Sequence, residues 1–150
     1  MPDETSDRVL EMDPIATFYD ALADDYHLVY QDWELSIGRQ AAALDRIIRE
    51  ELSGSKHRVL DCTCGIGTQS LGLARLGYEV VGTDISQRSI DRARSENERL
   101  GLSVRFGVQD LRSLSFEPSE VFDVVLSADN SIPHLVEEED LQIAVDRMTQ

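Results

Sequence analysis

The chain has little of what a disulfide framework, a metal centre or a polyanion-binding surface requires. Its 150 residues hold two cysteines, Cys62 and Cys64, separated by one residue. Thiols spaced so closely make no disulfide framework, and no further cysteine completes a zinc set. The three histidines, His27, His57 and His134, are scattered, so no metal is expected and the cysteines read as small residues filling a tight turn. Lysine is nearly missing. Of fourteen basic residues only Lys56 is a lysine, against twenty-nine acids, and the net charge is −15. Such an excess of carboxylate argues against nucleic acid or anionic membrane as a partner, because phosphate binding needs positive surface. No apolar run approaches the length of a membrane span. The polar, acidic opening MPDETSDRVLEMD is neither a secretory signal nor a transit peptide, which points to the cytoplasm. Repeats, low-complexity tracts and linkers are missing too. What remains is one domain's worth of chain, 41% hydrophobic and long enough to bury a core.

Periodicity divides that chain into an acidic disordered tail (1–13), N-terminal helices (14–54) and an alternating strand–helix core (55–150). After Pro14, IATFYDALADDYHLVY places Ile15, Phe18, Tyr19 and Leu22 at roughly helical spacing. A second helix, SIGRQAAALDRIIREEL, repeats Ile37, Ala41, Leu44, Ile47 or Ile48, and Leu52, with Ser36 as its expected cap and Gly54 as its end. RVLDC (58–62) reads as a buried strand, TQSLGLARLG as a short helix and YEVVGTD (78–84) as a second strand. SQRSIDRARSENERLG reads as a helix capped by Ser86 and stopped at Gly101. SVRFGVQD (103–110) and VFDVVLSADN (121–130) supply strands three and four, and EEEDLQIAVDRMTQ begins another helix, its acids at the positive end of the dipole. This alternation implies an α/β fold, a Rossmann-like parallel sheet with helices on both faces. Strand four, with Val121, Val124, Val125 and Leu126, reads as a central strand buried on both sides. The C-terminal part of the domain is therefore expected to be missing, and an exposed strand-four edge would favour homo-oligomers.

In open α/β sheets ligands sit beyond the carboxyl ends of the strands. Each such end here carries a distinctive polar residue or loop: Asp61 with CTCGIG, then Asp84, Asp110 and ADNSIPH. Gly65 and Gly67 let the backbone turn sharply and lie against a ligand. Asp84, 19 residues beyond Gly65, stands where an acid accepts hydrogen bonds from ribose hydroxyls. A dinucleotide would want a third glycine at the position of Ser70 and no acid near its pyrophosphate. Asp61, four residues before Gly65, instead suits a ligand carrying ammonium or sulfonium charge, which favours S-adenosylmethionine over a nicotinamide dinucleotide.

VLDCTCGIGT followed by VVGTDIS resembles the class I S-adenosylmethionine-dependent methyltransferases. Together with YDALADDYH, DWELSIGRQ and ADNSIPHL it looks like their glycine/sarcosine N-methyltransferase-like branch. The resemblance covers about residues 15–150. It implies that Asp61, Cys64, Gly65 and Gly67 line the methionine part of the cofactor, and that Asp84, followed by Ile85, holds the ribose. Asp110 and Leu111 would meet the adenine, the carboxylate accepting from its amino group. Arg39 would pair with the cofactor carboxylate, while Tyr26 and Trp33 would close the N-terminal helices over the site as a lid. Asn130 and His134 would face the transferred methyl group, with His134 as the candidate acid/base and a small-molecule amine such as glycine or sarcosine as acceptor. Thr63 departs from the small Gly or Ala that many members place there. Two other readings stay open: a cofactor-binding module without catalysis, and an NAD-dependent oxidoreductase.

The acidity has two readings, an ordinary acidic protein or one adapted to high salt, where screening removes the self-repulsion of −15 charges. Adaptation to salt predicts loss of folded structure in low-salt buffer. Thermal melts across a salt series test it, and a melting temperature that does not change with salt would contradict it.

Overall fold

The computed structural model describes residues 13–54, 57–129 and 131–150. The expected tail, apart from Asp13, lies outside the described residues, and so does Asn130. Four parallel strands, β1 (Arg58–Asp61), β2 (Glu79–Asp84), β3 (Arg105–Val108) and β4 (Val124–Leu126), form one sheet in the order β3-β2-β1-β4. Around it run α1 (Pro14–Leu22), α2 (Trp33–Glu51), α3 (Thr68–Arg75), α4 (Gln87–Arg99) and α5 (Glu138–Met148). Short 3-10 turns at Tyr26–Val29, Leu111–Ser113 and Ile132–His134 join them.

Successive strand residues point to opposite faces of a sheet, and the two-sided burial follows from that. Val59 and Val80 join Ile37, Leu71, Leu73 and Ile90 in a core beneath α2, α3 and α4. Leu60 and Val81 join Leu111, Leu114 and Ala144 in a second core beneath α5. The fold is the expected Rossmann-like one with helices on both faces. The register sets Asp61 beside Gly82 and Leu126, and Gly82 beside Phe106. The carboxyl ends of all four strands therefore come out at one rim.

Several boundaries differ from the sequence reading. Asp13 belongs to α1 as its cap rather than to a tail, its carboxylate accepting from the Ile15 N–H at 2.8 Å. Asp32, not Ser36, caps α2 by accepting from the Leu35 N–H, because the helix must include Trp33 to bury that indole in the core. The helical pattern after Pro14 breaks at Ala23 and resumes only as the 3-10 turn at Tyr26. Strand four is shorter than expected. Among the described residues β4 is the outer strand, its three residues are half-buried, and Val121 is exposed outside it. Ser86 caps α4 as expected, accepting from the Ser89 N–H. No helix among the described residues is long and apolar enough to cross a membrane.

The packing of α2 on α3 depends on Gly72. A Cβ there would stand 2.8 Å from both the Ala41 Cβ and the Ile37 carbonyl oxygen, and a backbone oxygen cannot move aside. Gly72→Ala is expected to destabilise the fold by about 1–3 kcal/mol, the usual cost of overpacking. Urea denaturation checks this, with Gly107→Ala as the comparison because a Cβ there meets nothing within 4 Å.

Candidate active site

The strand ends open into a cleft between the glycine loop, α1 and the loops that follow β3 and β4. The loop between β1 and α3 forms its floor. That loop needs two residues in the left-handed region, and glycine holds both positions: Gly65 at φ +52° and Gly67 at φ +94°. Gly67 also ends the turn at the start of α3, where a Cβ would press on Leu71 and on the Phe106 ring at 3.2–3.3 Å. Gly65 and Cys64 line the cleft, whereas Gly67 shapes the loop from below without lining it.

The loop is tied to the next strand through its backbone. The Gly65 N–H donates to Asp84 Oδ2 at 2.9 Å, and the Ser86 N–H donates to Oδ1 at 3.0 Å. Burial pushes the Asp84 carboxyl above its ordinary range, against the pull of these backbone donors. Asp84 and Ile85 both line the cleft.

Asp61 lies beneath the loop, fully buried. Its Oδ2 accepts from the Ser70 hydroxyl at 2.7 Å, and its Oδ1 has no partner. Desolvation is the main cause that pushes its carboxyl up to about 7, opposed by the Ser70 hydrogen bond and reinforced by the negative charges of Asp84 and Asp129. Burial of this kind favours the neutral carboxylic acid. The two cysteine thiols are buried beside it. Desolvation and the nearby carboxylates push Cys62 up to about 12 and Cys64 well above its usual value, so both stay protonated and behave as small apolar groups.

At the β3 end, Asp110 and Leu111 line the cleft. The Asp110 carboxylate is paired with a cation of the chain itself. Arg112 binds it through Nη2 at 2.6 Å and through Nε, and also donates its backbone N–H. That ion pair holds the Asp110 carboxyl below its usual range. Arg112 reaches on to Asp13 and Asp140, each at 3.1 Å, joining the starts of α1 and α5 to the cleft.

At the β4 end stand His134 and Asp129. His134 Nε2 lies 2.7 Å from the Tyr19 hydroxyl, with the two rings edge to face. Burial, with Asp84 and Asp129 nearby, pushes the Tyr19 phenol up, so it stays protonated. Asp129 adopts φ +59°, uncommon for a residue other than glycine. Its carboxylate accepts from Tyr30 and Gln69 at 3.3 Å. Tyr26 lines the cleft beside Tyr19, and burial pushes its phenol up to about 12.

Three expected residues besides Gly67 do not line the cleft: Asp61 is sealed beneath the glycine loop, and Trp33 and Arg39 are placed elsewhere. Trp33 is buried behind the cleft, where its indole N–H donates to Thr68 Oγ1 at 2.9 Å and supports the start of α3. Arg39 is exposed on α2 and does not line the cleft. It sits two residues from both Ile37 and Ala41, which are buried, and so roughly opposite them on the helix. That signal was present in the periodicity. Sequence reasoning missed Tyr19, Arg112 and Asp129. The spacing of Tyr19 four residues after Ile15, which also lines the cleft, was the available hint for the first. Thr63, the noted departure, hydrogen-bonds its hydroxyl to that of Ser127 at 2.9 Å, bridging the glycine loop to the end of β4.

Residues 59–150 match the family described as a methyltransferase domain. The ubiquinone biosynthesis O-methyltransferase of Ruegeria sp. is 36% identical over 87 residues, covering 58% of this chain and 35% of that protein. The chain thus spans about a third of the length of the curated relatives it matches. Among solved structures, the PH0226 protein from Pyrococcus horikoshii superposes with a TM-score of 0.67 at 30% identity, covering 84% of this chain and 59% of that one. An S-adenosylmethionine-dependent methyltransferase from Clostridium acetobutylicum gives 0.69 at 18% identity, covering 89% and 52%. The latter likeness is one of fold.

The buried Asp61 generates a pH prediction. Its folded-state pKa of about 7 lies above the ordinary value, so the folded chain holds a proton that the unfolded chain releases. Stability from this group is present at low pH and is lost as pH rises through about 7. Asp61→Asn is expected to flatten the decline of urea stability between about pH 4 and 7. Parallel slopes for the two proteins would show that Asp61 does not titrate in that window.

Proposed function

The chain belongs to the methyltransferase-domain family, and from that premise we propose that it transfers a methyl group from S-adenosylmethionine to a small-molecule amine such as glycine or sarcosine. The observation that carries the reading is the half-buried Asp84, which lines the cleft at the end of β2, with Asp61 sealed beneath the loop at the end of β1. Asp61 retains an unpartnered oxygen, and Asp84 is positioned by the glycine loop's own N–H. Such an arrangement suits a ligand with a cationic methionine portion and a ribose. It suits pyrophosphate poorly, which disfavours the oxidoreductase alternative.

Bound there, S-adenosylmethionine would supply a methyl group already activated by the positive sulfur. Catalysis is then mainly a matter of alignment, which can supply about 7–11 kcal/mol in favourable systems. Asp84 would accept from the ribose hydroxyls while Gly65 and Ser86 hold its two oxygens in place. Asp61 would balance the cationic end from below. An amine acceptor must lose a proton to react. In this reading His134 would take it: the Tyr19 hydroxyl engages Nε2 and fixes the imidazole, leaving Nδ1 to act as base. The cleft's acids also fit an amine: Asp129 offers a carboxylate there, while the guanidinium of Arg112 is committed to Asp110, Asp13 and Asp140.

Methylation of an oxygen is the second reading, favoured by the name of the Ruegeria relative, an O-methyltransferase. The same Tyr19–His134 pair would serve it by removing a hydroxyl proton.

Calorimetric titration with S-adenosylmethionine and S-adenosylhomocysteine tests the cofactor, and a methyl-transfer assay with glycine, sarcosine and a catechol tests the acceptor. Saturable binding and turnover of the amines are expected. Turnover of the catechol alone would establish the second reading, and absence of binding by the folded chain would overturn the cofactor assignment. His134→Ala is expected to lower kcat by about 10²-fold, the low end for loss of an acid/base, with cofactor affinity little changed.

A further inference from the structure

The helix that roofs the cleft is docked in an unusual way. Two residues of α1, Ile15 and Tyr19, line the cleft, yet α1 contains no buried residue. Ala23 at its end is buried and Ile15 and Leu22 are half-buried; the other attachments of this N-terminal segment are polar. Asp13 pairs with Arg112, Tyr19 meets His134, and Asp24 pairs with Arg88 at 2.6 Å. Asp20 makes a different kind of contact, with no cationic side chain. Its Oδ1 accepts from the Ser86 hydroxyl at 2.6 Å and from the Arg88 backbone N–H at 3.0 Å. Asp20 therefore caps α4 from outside, at the positive end of that helix, where a carboxylate is favourable.

Ser86 is the link that gives this contact a consequence. It is fully buried. Its hydroxyl donates to Asp20 and accepts from the Ser89 N–H, and its backbone N–H donates to Asp84 Oδ1. Each oxygen of the ribose-facing carboxylate is thus held by one N–H, from Gly65 on one side and Ser86 on the other. The Gly65 donor is fixed within the loop. The Ser86 donor belongs to a helix start that α1 pins from above.

We propose that Asp20 is a positioning residue for the cofactor: by fixing Ser86 and the first turn of α4 it orients Asp84, so docking of α1 over the cleft and binding of the cofactor are coupled. This rests on the cofactor reading above and adds a residue that contacts neither the cofactor nor the reacting atoms. Coupling of this type runs both ways. Occupancy of the cleft should protect α1, and loosening α1 should weaken the cofactor.

The test uses S-adenosylhomocysteine as probe and compares Asp20→Ala and Asp20→Asn with Asp24→Ala, which removes a tie of the same helix without touching Ser86. Affinity is read by calorimetry, and amide exchange is followed at residues 14–22 and 86–89. Asp20→Ala should weaken the probe about tenfold, as expected for a lost charge-assisted hydrogen bond, and speed exchange in both segments. Asp20→Asn, whose carbonyl oxygen still accepts, should recover part of the affinity, and Asp24→Ala should stay within about twofold of the parent. Equal affinities for all four proteins, or equal losses for the Asp20 and Asp24 variants, would overturn the proposal. A purely structural role would lower the melting temperature without separating the two aspartates in affinity. Failure of the parent chain to bind the probe would instead remove the cofactor reading, and the exchange rates at 86–89 with Asp20→Asn would still decide whether Asp20 fixes that turn.

Discussion

One aromatic ring supports the whole rim of the sheet. Phe106, on β3, lies against two glycines: a Cβ on Gly82 would stand 2.6 Å from the ring, and one on Gly67 would stand 3.3 Å from it. The ring fills the space where β2 lacks a side chain and bears on the underside of the loop that follows β1. Because strands in a parallel sheet are locked in register, this sets the height of the glycine loop above Asp84. The Gly65–Asp84 hydrogen bond is made from that height. Were either glycine replaced, the ring or the loop would have to shift, and the acid at the end of β2 would lose the donor that orients it.

The chain's acidity and its site are parts of one electrostatic design. Fourteen basic residues serve twenty-nine acids, and many of the arginines form ion pairs on the surface, such as Arg99 with Glu34 and Glu96. Pairs of this kind contribute little individually, about 0–1 kcal/mol, and Arg112 is the one arginine or lysine among the described residues lining the cleft. Asp84 and Asp129 line the cleft, while Asp61 is sealed beneath the glycine loop. Burial raises the cost of ionising Asp61 and Asp84. Arg112 neutralises Asp110, so the β3 side of the cleft is balanced while the β1 side is not.

The N-terminal helix shows the same reliance on charge in place of apolar burial. Helix α2 inserts Trp33, Ile37, Ala41 and Ile48 into the core, and it would be costly to detach. Helix α1 buries nothing comparable and depends on Asp13, Asp20, Asp24 and Tyr19 for its position. Contacts of that kind can break and reform at little cost.

The strand–loop–strand core was legible in the sequence because its signals are local. Short apolar runs, glycines at the two left-handed positions, and acids at strand ends each follow from the chemistry of a few adjacent residues, and together they dictated Asp61, Gly65, Gly67 and Asp84. The cap at Ser86 was legible for the same reason. Helical phase, also local, was enough to turn Arg39 away from the cleft, although its charge made it look useful there. What only the tertiary structure decided are meetings between residues far apart in the chain. Tyr19 reaches His134 across 115 positions, and Arg112 gathers Asp13 and Asp140 across 99 and 28. No periodicity encodes such contacts. They depend on how α1 and α5 settle on opposite sides of a sheet whose twist and register are fixed by the packing of all its parts.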